Sequence, residues 1–272
     1  MPHPQTPACH GAASERSQDT RHSGAFYDGI AGFYDDMTGF DQRLQRAGAF
    51  VQRVLARHPV HRAADVACGT GIYALAFARC GVRTVGVDIS AGMLQKAEAH
   101  AQRLGLDVNW LLASMDQLAQ QPDTRFDAVV CLGNSVPHLL TDAELSAALK
   151  SFHAVLNPGG QLYLQLLNYD LVQARHERIV EINRQDNREF VRFYDFRDDG
   201  LLQFNVLSLD WSAGPDPVHA LQSTVLRPYH ESELRTALHA RGFAAPIAFG
   251  NLAFAPFDPA ASDTVLLVAA KA

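Results

Sequence analysis

The chain has 272 residues, is 47% hydrophobic and 19% charged, and carries a formal net charge of -6. That length suits one large α/β domain with an insertion and does not require two independent domains. The acidic balance disfavours a nucleic-acid surface, no apolar run reaches the roughly 20 residues that span a bilayer, and the first thirty residues hold no hydrophobic signal region, so the expectation is a cytoplasmic protein without membrane contact.

Residues 1–24 have almost no large apolar side chains and are expected to form a disordered leader. From Phe26 onward Tyr27, Ile30, Phe33, Tyr34 and Met37 recur at helical spacing, and a second helix is expected over 41–57, before Pro59. A βα alternation follows, with strands near 62–67, 82–88, 107–112, 126–132 and 160–167 and helices near 71–80, 90–104 and 141–155. Runs such as Ala128-Val129-Val130-Cys131-Leu132 are apolar throughout, as in a sheet covered on both faces. Past Asn168 the pattern becomes strand-like around 179–182, 189–196, 201–207 and 223–229, with turns at Asp186-Asn187 and Asp198-Asp199-Gly200. A helix over 231–241 and strands near 245–252 and 263–270 complete the chain.

The expected fold class is therefore α/β: a doubly wound, mostly parallel, seven-stranded Rossmann-like sheet with an antiparallel β cap inserted after strand five. Residues 25–168 and 230–272 form the main domain with N-terminal lid helices, and 169–229 form the cap.

Chemistry concentrates where the first strand meets its helix. In Asp65-Val66-Ala67-Cys68-Gly69-Thr70-Gly71 the two glycines allow a sharp turn and close approach of a ligand, and the helix starting near Ile72 offers free amides. Asp88 closes the second strand, where a carboxylate can accept both hydroxyl protons of a ribose and disfavours a 2′-phosphate. Gly69-x-Gly71-x-x-Ala74 also satisfies the dinucleotide fingerprint, which leaves an NAD-dependent oxidoreductase open. Asp65 argues the other way, since an acid there would repel a pyrophosphate and suit the positively charged amino end of a ligand. Cys9, Cys68, Cys80 and Cys131 show no CxxC spacing, so neither a zinc site nor a disulfide framework is expected.

With Asp88-Ile89-Ser90 and the turn Asn157-Pro158-Gly159-Gly160, the chain resembles the class I S-adenosylmethionine-dependent methyltransferases over roughly residues 60–170. Gly133-Asn134-Ser135-Val136-Pro137-His138-Leu139 and Asn168-Tyr169-Asp170 further resemble glycine N-methyltransferase and the glycine/sarcosine methyltransferases. The resemblance implies S-adenosyl-L-methionine bound by Asp65, Ala67, Gly69, Gly71, Asp88, Ile89, Met93, Met115, Asp116 and Leu132, with Asp116 on the adenine amino group and Ile89 and Met115 on the ring faces. It makes Tyr34, Asn134 and His138 the catalytic candidates, and Tyr27, Tyr169, Arg192, Tyr194 and Tyr229 the acceptor-binding ones. No metal is expected, and nothing in the sequence indicates an oligomeric state. The implied reaction is in-line methyl transfer to a small molecule, foremost at an amine nitrogen. O- or C-methylation and non-catalytic binding of S-adenosylmethionine are the alternatives.

One position departs from that family. Its arginine before Asn-Tyr-Asp, which pairs with the substrate carboxylate, is Leu167 here, and leucine cannot make a bidentate pair. The expected acceptor is larger than glycine, with an apolar part against Leu167, Phe190, Tyr194 and Phe196, and Arg192 is the expected partner of any anion it carries.

Overall fold

Apolar strands that alternate their side chains between two faces need a covering layer on each, and the chain supplies both. In the computed structural model, which describes residues 23–121 and 125–272, helical residues 23–30 (α1), α2 (Tyr34–Thr38) and α3 (Phe40–Arg57) lead into β1 (Arg62–Val66), α4 (Ile72–Arg79), β2 (Arg83–Asp88), α5 (Ala91–Leu104) and β3 (Asn109–Leu112). A 3-10 turn at Met115–Gln120 precedes β4 (Phe126–Cys131), and another at Val136–His138 precedes α6 (Asp142–Val155), β5 (Leu156–Leu167) and α7 (Tyr169–Arg175). Then come β6 (Ile179–Gln185), β7 (Arg188–Phe196), β8 (Leu202–Asp210), β9 (Val218–Leu226), α8 (Glu231–Ala240), β10 (Ile247–Phe249) and β11 (Thr264–Ala270). Of the expected leader, only residues 23 and 24 are described, and they are helical; the rest lies outside the described residues.

The main sheet has seven strands in the order β10-β11-β5-β4-β1-β2-β3, as the sequence pattern implied. β11 runs antiparallel to β5 and β10 antiparallel to β11, while the other pairs are parallel. Strand β4 shows why both faces must be covered. Val129 and Cys131 join the core cluster that includes Leu149 and Phe152 of α6, whereas Ala128, Val130 and Leu132 join the one that includes Phe50 of α3 and Phe77 of α4. Among the described residues no helix is long and apolar enough to cross a membrane.

The second sheet is an antiparallel meander ordered β6-β7-β8-β9. It begins later than the change of pattern suggests, because Tyr169–Arg175 is a helix, α7, that stops where His176 takes a left-handed conformation with φ 51°. The meander faces the N-terminal helices. Phe26, Ile30 and Met37 pack with Met93 of α5 on one side and with Phe190 and Val206 of the meander on the other. Asp28 fastens α1 to the main domain by accepting from Ser90 Oγ and from Gly92 N–H, and Asn183 fastens the meander to α2 by donating to Met37 O at 2.7 Å. These helices thus fill the gap between the sheets.

Gly71 is required by packing as well as by conformation. Its φ is 86°, and a Cβ there would lie 2.6 Å from the Trp110 ring, which also covers Gly86. Gly71→Ala should therefore lower unfolding stability by about 2–4 kcal/mol, from strain plus overpacking. Combining it with Trp110→Ala should cost less than the sum of the two changes in urea unfolding.

Candidate active site

Ligands of open α/β sheets bind beyond the carboxyl ends of the strands, and here the backbone at those ends is unusual. After β1, Ala67, Gly69 and Gly71 all have positive φ (56°, 55° and 86°), and after β4 so do Gly133 (82°) and Asn134 (70°). Such conformations cost free energy at non-glycine residues and gather at functional sites. The first turn is held by Gly69 N–H donating to Asp88 Oδ2 at 2.7 Å, while Ser90 N–H donates to Asp88 Oδ1 at 2.9 Å. Burial raises the Asp88 pKa and these amide donors oppose the rise. Each oxygen keeps a lone pair for a further donor, so the carboxylate offers two adjacent acceptors to a diol.

A cavity opens in front of this turn. Ala67, Gly69, Asp88, Ile89, Met115 and Leu132, six of the residues the sequence assigned to the cofactor, line it. Asp116 lines a recess beside it together with Met115, Asp88 and Ile89. Three expected residues do not reach it. Asp65 is 1% exposed and accepts from Ala74 N–H at 2.9 Å, which fixes the first turn of α4; burial pushes its pKa up to about 7. Gly71 lies under Trp110, and Met93 is part of the core beneath α1.

The sequence reading missed Arg43 and Tyr73, which also line this cavity, as does Ser135 of the Gly133-Asn134-Ser135 motif. Arg43 donates to Thr38 Oγ1 at 3.1 Å, and its guanidinium lies 5.8 Å from the centre of the Tyr34 ring. Burial lowers its pKa, but Tyr34, Tyr73 and Asp35 outweigh that and the group stays cationic. A signal existed: Arg43 interrupts the apolar stripe Phe40, Leu44, Ala47, Phe50, Val51 of α3, where a charge needs a reason to be turned inward.

A second cavity of about 320 Å³ adjoins the first under the meander, and Tyr27, Tyr34, Gly133 and His138 line both. At this junction the Tyr27 hydroxyl and His138 Nε2 are 2.9 Å apart. Burial pulls the His138 pKa down to about 4 and that of Tyr27 up, so both are neutral near pH 7, and His138 Nδ1 has no hydrogen-bond partner. Leu167, Arg192 and Tyr194 form the wall on the meander side. Arg192 is paired with Glu181, while its Nε is buried with no partner. Among the described residues no Asp or Glu lines this second cavity.

Asn134 lines it too, but its side chain is committed elsewhere. Oδ1 accepts from Leu167 N–H at 3.0 Å and from the Tyr169 hydroxyl, and Nδ2 donates to that same hydroxyl at 2.9 Å. The residue latches the end of β4 to the end of β5, and a direct catalytic role gives way to a tether. Tyr169 sits behind it, 1% exposed and outside both cavities. Tyr229 is fully buried, donates its hydroxyl to Leu139 O and belongs to the main core, so it is not an acceptor contact. Among the described residues no group of three or more His, Cys, Asp or Glu is placed to hold a metal ion.

A family described as "Methyltransferase domain" matches residues 63–160. Glycine/sarcosine N-methyltransferase of Halorhodospira halochloris is 32% identical over 161 residues, 59% of this chain and 60% of that protein. The match to this relative therefore spans less than two thirds of its length. The enzyme of the same name from Aphanothece halophytica is 28% identical over 226 residues, 83% of this chain and 82% of its own. Among solved structures, the CcbJ methyltransferase of Streptomyces caelestis superposes with a TM-score of 0.76 at 22% identity, covering 91% of this chain and 98% of its own, which speaks for the fold.

The neutral His138 has a thermodynamic consequence. Its folded pKa, about 4, lies below the ordinary 6.5, so between those values the unfolded chain binds more protons. Stability should be complete above pH 6.5 and fall as pH drops toward 4, by about 1 kcal/mol per pH unit from this group. Urea unfolding of the parent and His138→Gln at pH 7, 6 and 5 should show the substituted protein losing less with acid.

Proposed function

Because the chain is an S-adenosylmethionine-dependent methyltransferase, a class that sets aside the dinucleotide-dependent alternative, we propose that it methylates the nitrogen of a small, anion-bearing amine larger than glycine. The observation that carries this reading is the meeting of two cavities at Tyr27, Tyr34, Gly133 and His138, one built around a strand-end carboxylate and the other lined by the half-buried Arg192.

The residues of the first cavity fit the methyl donor. Asp88, held by two backbone amides, suits the ribose diol; Ile89 and Met115 suit the adenine faces, Asp116 its amino group, and Arg43 the carboxylate of the methionyl part. Gly69 leaves open space where a Cβ would project, and so lets a ligand approach the backbone. Bound there, S-adenosylmethionine supplies a methyl carbon activated by a sulfonium.

The protein's part is to desolvate and aim the acceptor. An amine entering the second cavity meets no carboxylate that would hold it as a cation, which favours the neutral, nucleophilic form. Tyr27, Tyr34 and Tyr194 offer hydroxyls that orient it, and His138, neutral at the junction, adds no positive charge that would repel the incoming sulfonium or amine. Arg192, with its unpartnered Nε, supplies the positive charge for the acceptor's anion, and Leu167 an apolar contact. We assign residues 169–229 to the cap over this acceptor. We also propose that the chain acts on metabolites, without nucleic acid or membrane, in the cytoplasm, in keeping with unbridged, buried Cys68 and Cys131.

Two measurements test this. Asp88→Ala should weaken S-adenosylmethionine binding about a hundredfold or more in calorimetry, since two hydrogen bonds to a charged group are lost, each worth roughly 1.5–3 kcal/mol. Glycine should be a poor acceptor beside bulkier amino acids, and Arg192→Met should lower kcat/KM for anionic acceptors by about two orders of magnitude while sparing neutral amines. Glycine turnover equal to that of the bulkier acids, with Arg192→Met fully active, would overturn the acceptor reading.

A further inference from the structure

Strand β6 is an edge strand of the cap, and it exposes Ile179, Val180 and Ile182 at 59%, 41% and 56%. Natural edge strands are blunted with charge or proline, so three open branched aliphatic residues need an occupant. Beside them runs a surface groove between α7 and β6. Its walls are Leu171 and Val172 of α7 and Ile179 of β6, and its rim is Arg175, paired with Asp263 at 3.1 Å, and Glu177.

This groove continues the acceptor cavity. Leu167, Val180 and Tyr194 line both spaces, and the groove adds about 180 Å³ to the 320 Å³ of the cavity. Leu167 stands at the passage between them as a short apolar side chain. Resting on the acceptor reading above, we propose that the groove is a subsite for an uncharged apolar arm of the acceptor: the substrate is an amine carrying a carboxylate toward Arg192 and an alkyl or aryl chain that passes Leu167 and Val180 and lies along Leu171, Val172 and Ile179. The rim fits this chemistry. Arg175 and Asp263 neutralise one another, and Glu177 beside them repels an anionic tail. Ile179 and Val180 of β6 are then the outer wall of a binding site that substrate covers during turnover.

The experiment is a kcat/KM series with the purified full chain, S-adenosylmethionine and linear α-amino acids: glycine, alanine, 2-aminobutyrate, norvaline, norleucine and 2-aminooctanoate. Each methylene that leaves water for the groove is expected to raise kcat/KM by about fourfold, up to the length that fills it. Ile179→Asp, at an exposed position that places little demand on folding, is expected to flatten the rise for the longest members, and Leu167→Trp to cut it off at shorter lengths by plugging the passage. Methylation of the short members with no gain in length, or a gain that Ile179→Asp leaves intact, would overturn the subsite and leave the acceptor cavity standing. No methylation of any member, in a protein that still binds S-adenosylmethionine in calorimetry, would overturn the acceptor reading and the subsite with it.

Discussion

The carboxylate of Asp88 is the constraint on which the site depends. One oxygen receives the amide of Gly69 from the turn after β1 and the other the amide of Ser90 from the turn after β2. The two turns cannot drift apart without stranding a nearly buried acid, a cost of several kcal/mol. The link continues outward, since Ser90 Oγ caps α5 by accepting from Met93 N–H and donates to Asp28 of α1. One strand-end acid thus registers the glycine turn, the next helix and the roof above them.

That roof is part of the hydrophobic core. Phe26, Ile30 and Met37 are buried between Met93 and the meander's Phe190 and Val206, and Phe33 stacks on Phe190 at 5.2 Å. Fully burying side chains of this size is worth roughly 1.5–3 kcal/mol each, far more than the exposed ion pairs on the meander's surface contribute. The meander is therefore held beside the second cavity through the N-terminal helices, and Tyr27 and Tyr34 reach the junction of the two cavities because their neighbours in sequence are anchored.

The polar residues of this region divide into those that meet the cavities and those that shape them. Asp65, Asn134, Tyr169 and Tyr229 have their hydrogen bonds satisfied by backbone or by one another. Asp88, Arg43, His138 and Arg192 line cavities, and the last two retain buried atoms without partners. Unsatisfied buried polar atoms are uncommon in folded proteins, and His138 Nδ1 and Arg192 Nε are two that belong to residues lining the second cavity.

Much of this was legible in the sequence. The period of the apolar residues changes from helix to strand at each boundary, and both glycines of the turn after β1 sit where φ must be positive, so the seven-stranded sheet, the meander and the strand-end position of Asp88 followed from local physics. Local signals fail for α7, where a segment of 7 residues between two sheets is too short to show a helical period of its own and is shaped by what surrounds it. They fail again on direction. The sequence names an acid at Asp65, a glycine at Gly71 and tyrosines at Tyr169 and Tyr229, but whether each faces ligand or protein depends on Ala74, Trp110, Asn134 and Leu139, partners brought near by chain crossings that no residue window contains. Arg43 shows the reverse, an unremarked helix residue turned into a ligand cavity because α3 packs against α4 beside the glycine turn. Residue chemistry and element type were determined by the sequence alone; which side of a buried group is left unsatisfied was decided only by tertiary packing, since satisfaction is a property of pairs distant along the chain.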